Sequence, residues 1–362
     1  MKFQKTIFLS ILLISIPAFA TKEFSRSREY SVIKLDIQGV EKISENFYVG
    51  WIEVDPKMPQ LKLELLPENM EGKINWTFTI LYYQIIRRTV SGVSNIYSIS
   101  NKTIFTKSIT LDADQQWDVG KEFESNFYGG DAKITLEYID KNNMAQPKQE
   151  FYISIRGKNP SLSQVINYVG NNPWFAKAMA KRESGGEYHQ FSTWPTRVLG
   201  PSRPDIPTEE VILNELYLPN ASFDKGFGIF QLTDPAPTIN QIWSWKANVD
   251  EAMSRINGFL KVAKKRIEYA RSLANKDLEK KRIDAIPEIP SKTYGNVTLK
   301  DPWVYPTYDK TFTHAIAMRR YNGIATPDEG KHDFVEWVNR DWKFYYINNY
   351  NSNYVKEICN NY

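Results

Sequence analysis

Cysteine is almost absent from this chain: Cys359 is the only one in 362 residues. One thiol excludes an internal disulfide, so stability has to come from a packed core. Histidine is nearly as scarce: His314 and His332 have no partners at metal-ligand spacing, and His189 reads as a surface or loop-packing residue rather than a catalytic one. A strong charge of one sign is also missing. Lys and Arg number 46 against 42 Asp and Glu, a net charge of +4, and N-terminal cleavage would remove Lys2 and Lys5. That field is too weak to point to nucleic acid. No internal repeat is visible, and the apolar run Ile7 to Ile16 is too short to cross a bilayer comfortably.

What is present is apolar and aromatic. Hydrophobic residues are 42% and charged residues 24% of the chain, which suits a packed core and argues against wholesale disorder. Tyr and Trp, 21 and 10 in number, pair a flat apolar face with a polar tip and suit sugar rings as well as sheet surfaces. Residues 1–20 read as a cleavable signal peptide. Two lysines precede the apolar run, Pro17 breaks it, and Ala18-Phe19-Ala20 is an A-x-A cleavage site. A retained anchor is the competing reading; no Cys near the cleavage point supports a lipoprotein.

From 25 to 157 the pattern is strand-like, as in Tyr30–Ile37, Gln60–Leu66, Lys73–Tyr83, Lys102–Leu111, Ala132–Ile139 and Glu150–Arg156. These runs are rich in β-branched and aromatic residues and bounded by Gly, Pro, Asn or Asp. They predict an antiparallel, immunoglobulin-like β-sandwich. Gly157-Lys-Asn-Pro160 marks a boundary. After it, 161–362 reads as mainly α, with helices at 161–169, 173–184, 238–245, 248–274, 312–322 and 353–360 and helical pieces at 333–347. The expected class is a two-domain α+β chain. Two Pro-rich stretches, 187–222 and 284–310, read as insertions.

Chemistry concentrates in three short segments. In the first, Asn172 stands as helix N-cap with Pro173 after it. Phe175, Met179 and Glu183 then share one stripe, and Gly185-Gly186 end the helix. A carboxyl that inherits a core-facing stripe loses hydration, and its pKa should rise. Taken alone, Glu183 also fits the last solvated residue of an ordinary helix. The second segment is Asp224-Lys-Gly226-Phe-Gly228-Ile-Phe-Gln231, where glycines permit close backbone approach and Gln231 offers a donor and an acceptor. The third is Ala315-Ile-Ala-Met-Arg319-Arg320-Tyr321-Asn322-Gly323, which leaves a phenol and an amide near a helix end.

The order E-S, then G-x-G-apolar-apolar-Q, then apolar-x-x-Y-N resembles the lytic transglycosylase family of the lysozyme-like superfamily, and goose-type lysozymes share part of it. Asn248-Val249 before a long helix and Asn353-Tyr354-Val355-x-x-Ile358 near the C-terminus are similar to further features of that family. The resemblance covers roughly 161–362. Longer gaps around the second motif and Arg319-Arg320 before the Tyr depart from the pattern. Those arginines either face solvent or reach acidic stem peptides.

The resemblance implies cleavage of the β-1,4 bond between N-acetylmuramic acid and N-acetylglucosamine in peptidoglycan strands, without metal or organic cofactor. Glu183 would be the single acid. Ser184 would hold Glu183 or the substrate, Gln231 would bond a sugar acetamido group or orient the acid, and Tyr321 would position the Glu183 carboxyl. Asn322 would close its helix and Gly228 would allow backbone approach. Asp224 and Asp234 are the candidates for a second carboxylate, which would turn the reaction to hydrolysis as in a goose-type lysozyme. A binding protein that kept the groove and lost the activity is the reading from another class. The sandwich would dock glycan, a wall-associated partner or a secretion machine, and the protein would be periplasmic or secreted.

Overall fold

In the computed structural model, residues 34–44, 47–66, 71–90, 93–193, 217–222, 224–323, 335–344 and 352–362 are described. The expected signal peptide, the centre of the 187–222 stretch and His332 lie outside them. The chain is mixed α+β, with sheets first and helices after.

The strands are β1 (Lys34–Gln38), β2 (Glu41–Ser44), β3 (Phe47–Ile52), β4 (Lys62–Leu66), β5 (Gly72–Val90), β6 (Val93–Asp112), β7 (Trp117–Asp118), β8 (Gly130–Asp140) and β9 (Gln149–Gly157). They form a six-stranded sheet in the order β2-β3-β9-β8-β5-β6 and a three-stranded sheet in the order β1-β4-β7. Pairing is antiparallel except between β3 and β9, which run parallel from Phe47 opposite Tyr152 to Ile52 opposite Gly157. The expectation of a wholly antiparallel arrangement is corrected there.

The period of two explains the layering. Along β5, Ile74, Trp76, Phe78, Ile80 and Tyr82 are buried, facing Leu61, Leu63 and Leu65 in the same core. Alternate positions carry a polar ladder on the other face. Thr77 and Ser108 hydroxyls are 2.9 Å apart, and Thr110 donates to Asn75 at 2.7 Å.

The helices are α1 (Leu162–Val169), α2 (Ala176–Glu183), α3 (Ile239–Trp243), α4 (Trp245–Glu279), α5 (Phe312–Tyr321) and α6 (Ser352–Asn360). Capping boxes at Ser161–Gln164 and Thr238–Gln241 start α1 and α3 by satisfying their first N–H groups. Helix α2 begins later than the sequence suggests. Trp174 and Phe175 are both buried, and the chain makes a turn through them, with Ala176 N–H donating to Pro173 O at 3.0 Å. Phe175, not Asn172, is its N-cap.

Two expectations change in the second half. The stretch 333–347 contains a hairpin, not helix: β12 (Val335–Val338) pairs with β13 (Asp341–Phe344). Residues 284–310, read from the sequence as a Pro-rich insertion, are in part regular structure. They include the hairpin β10 (Lys292–Tyr294) and β11 (Val297–Leu299), and Ile289, Val297 and Leu299 are fully buried in the helical core.

The sheets and helices meet at a packed seam. Trp243 of α3 is fully buried in the sheet core, its ring 5.3 Å from that of Tyr82. A Cβ at Gly129 would collide with the same indole, so only glycine fits opposite it. Phe127 N–H donates to Asn240 Oδ1 at 2.8 Å, and Trp245 Nε1 donates to Val54 O at 2.6 Å.

Candidate active site

Glu183 is the last residue of α2. Phe175 and Met179, earlier on its stripe, are fully buried, and only 15% of the Glu183 side chain is exposed. Tyr354, itself fully buried on α6, donates its hydroxyl to Glu183 Oε1 at 2.6 Å. Arg182 Nη1 lies 3.6 Å from the same oxygen. Burial pushes the carboxyl above its ordinary range. The Tyr354 bond and the Arg182 charge pull it down, while the negative charges of Asp224 and Glu357 push with burial. The result is a carboxyl inclined to hold its proton. The two phenols around it, Tyr354 and Tyr321, are driven well above the usual tyrosine range, first by burial and then by the Glu183 charge.

The sequence reading assigned the positioning of the carboxyl to Tyr321. The structure gives that hydrogen bond to Tyr354, whose segment the sequence had marked only as a supporting feature. Tyr321 donates instead to Phe230 O at 2.8 Å and so latches α5 to the second motif. Its electrostatic response to Glu183 places it in the same neighbourhood.

Ser184 is buried, and its hydroxyl accepts from Tyr188 N–H at 2.8 Å and donates to Lys181 O at 3.3 Å. It therefore fastens the turn that follows Glu183. Gly228 has φ +77°, and a Cβ there would collide with the amides of Gln190 and Asn248. The close approach that glycine permits is by those two side chains. Gln190 accepts from Ile229 N–H at 3.2 Å, and Asn248 accepts from Phe230 N–H at 3.1 Å while donating to Phe227 O at 2.8 Å. Both amides are fully buried, and together they fix the loop backbone. Sequence reasoning noticed Asn248 but not this role, and it passed over Gln190.

Gln231 sits at φ +48° with its Nε2 donating to Gly228 O at 2.8 Å, so the amide folds back over its own turn. Asn322 is the C-cap residue of α5, its N–H donating to Met318 O at 3.3 Å. Arg319 is buried, which removes it as a solvent-facing arm.

The two carboxylate candidates differ. Asp224 is exposed, pairs with the Ser222 hydroxyl, and is close enough for its charge to act on Glu183. Asp234 is exposed too, and its backbone carbonyl accepts from Arg255 at 3.0 Å. His189 pairs with Glu187 at 2.9 Å. Burial against Trp174 and Phe175 lowers the His314 imidazole to about 4, so it stays neutral as packing material. Burial likewise lifts the Cys359 thiol to about 12, which leaves it unreactive. Among the described residues, no group of three or more His, Cys, Asp or Glu could hold a metal ion. No helix among them is long and apolar enough to cross a membrane.

What these residues can do together is hand a proton to a bound substrate from a dry, oriented carboxyl. Comparison with known proteins adds no family to that description: no family model and no curated protein matches the chain.

Proposed function

We propose that this protein is an exported lytic transglycosylase that cleaves the β-1,4 bond between N-acetylmuramic acid and N-acetylglucosamine. In this reading the helical part is a lysozyme-like domain and the sheets are an immunoglobulin-like docking module. The observation that carries it is the Glu183 carboxyl, raised by burial and held by Tyr354 at the junction of three motifs.

The reaction follows from that state. Protonated Glu183 donates to the glycosidic oxygen as the bond to C1 breaks, and the substrate's 2-acetamido group stabilises the oxocarbenium-like centre. The muramoyl 6-hydroxyl then attacks C1, and the Glu183 carboxylate takes its proton. The product is a 1,6-anhydro end, with no water consumed. A carboxyl whose pKa is raised by burial serves both steps, and a single carboxylate suffices because the substrate supplies what a second one does in ordinary glycosidases. Tyr354 aims the acid, Ser184 and Tyr321 fasten the turns around it, and Gln231 contributes its carbonyl oxygen to an acetamido N–H.

One observation favours a second reading, a hydrolytic muramidase: Asp224 lies within electrostatic reach of Glu183. If Asp224 held a water opposite the acid, that water would attack C1 instead. Digestion of purified sacculi followed by mass spectrometry separates the outcomes. Anhydro-muramoyl ends are expected. Reducing muramic ends would favour the hydrolase, and binding without cleavage would favour a catalytically silent wall-binding protein.

A further inference from the structure

Arg182 precedes Glu183 on α2 and reaches two carboxylates at once. Its Nε donates to Glu357 Oε2 at 2.6 Å, whereas its Nη1 stops 3.6 Å from Glu183 Oε1. A charge-assisted N–H···O bond closes to about 2.7–2.9 Å, so Glu357 holds the bond and Glu183 only the fringe of the charge. The guanidinium also lies over the Tyr354 ring, 4.4 Å from its centroid. Tyr354 and Glu357 are three apart on α6 and therefore share a face of that helix. One side chain engages the acid and the other engages the acid's neighbour.

Among the described residues, the groups acting on Glu183 come from four elements. They are Arg182 on its own helix, Tyr354 and Glu357 on α6, Tyr321 on α5, and Asp224 on the second-motif loop. Arg182 is the one cation in that set. A guanidinium has a fork of donors that fits a carboxylate bidentately, and full engagement with Glu183 would fix that carboxyl in its ionised form.

We propose that Glu357 is a positioning residue that acts through Arg182, tethering the guanidinium at the margin of the Glu183 carboxyl and preventing the bidentate pair. Its catalytic meaning rests on Glu183 being the proton donor; the tether itself does not.

The test is a direct titration of Glu183 in the full chain. Protein labelled with 13C at the Glu side-chain carboxyl gives a Glu183 resonance, assigned by its loss in Glu183→Gln. In Glu357→Gln the guanidinium swings to Glu183 and the titration midpoint moves to lower pH. In Arg182→Gln it moves to higher pH. Adding Glu357→Gln to the Arg182→Gln background produces no comparable downward shift, because the intermediary is gone. Side-chain exposure at Glu357 is 47%, so the neutral isostere leaves the fold intact, and unchanged resonances elsewhere verify it. An unmoved or raised midpoint in Glu357→Gln overturns the proposal. So does a downward shift of equal size without Arg182, which would mean that Glu357 acts directly through space.

Kinetics supply a separate readout. The alkaline limb of sacculus cleavage moves down in Glu357→Gln and up in Arg182→Gln, and one pH unit of displacement reads as about a tenfold loss beyond the limb. Wild-type protein that does not cleave sacculi would remove the proposed activity, while the titration would still decide the tether.

Discussion

The helical core and the sheet core of this protein are assembled on different terms. Every buried residue of the helical core lies between Val165 and Cys359, and none comes from the strands of the two N-terminal sheets. The sheet core is not self-sufficient: Phe191, Leu218, Phe227 and Trp243, all beyond the last strand of the two N-terminal sheets, complete it. Phe227 belongs to the same turn as Gly228 and Gln231. The loop that carries the second motif is thus clamped on one side by Gln190 and Asn248 and rooted on the other in the sheets. A boundary drawn at Gly157 follows the change of period but cuts through shared packing. The lesson concerns cooperativity. The sheets anchor the loop that carries the second motif, besides any docking they perform.

Breaking the seam at its centre should have the largest effect. Trp243→Ala removes a fully buried indole, at a cost of about 3–5 kcal/mol. Chemical denaturation should show a lower midpoint for a single transition that involves both parts. Two separate transitions, with only the sheets affected, would dissolve the comparison. Tyr354→Phe, on the helical side, deletes the bond to a buried carboxyl and should cost about 1–3 kcal/mol. It should also move the alkaline limb of activity upward, because the lost bond favours the ionised acid.

Glu183→Gln should work in the opposite direction on stability. A carboxyl whose folded pKa lies above its unfolded value binds its proton more tightly in the native state. Its contribution is therefore fully present below the unfolded pKa and is lost as pH rises through the folded one. The Gln variant should melt higher than wild type at pH 7, and the gain should vanish in acid. Thermal melts across pH will show this, and a variant less stable at every pH would contradict it. Lys246→Ala, at the exposed rim of the seam, removes an ion pair with Asp55 and should change stability by less than about 1 kcal/mol.

Parts of this architecture were legible in the residues. The apolar stripe of Phe175 and Met179 located Glu183, and the change of period around Gly157-Lys-Asn-Pro160 marked where the helices begin. The hairpin at 335–344 was misread as helix because its turn, Asn339-Arg340, carries no glycine. Both residues nonetheless adopt positive φ, at 53° and 64°, which is the two-residue turn that matches strand twist. The parallel pairing of β3 with β9 joins segments a hundred residues apart, and alternation within either strand says nothing of its partner. The choice between Tyr321 and Tyr354 was invisible for the same reason: both are helix-borne tyrosines packed into the helical core, and only tertiary packing decides which one reaches the acid.

The most direct measurement compares wild type and Glu183→Gln on purified sacculi, reading soluble fragments by mass spectrometry. Anhydro-muramoyl fragments from the wild type and none from the folded variant are the predicted result. Fragments released at equal rates by both would contradict the central role given to Glu183.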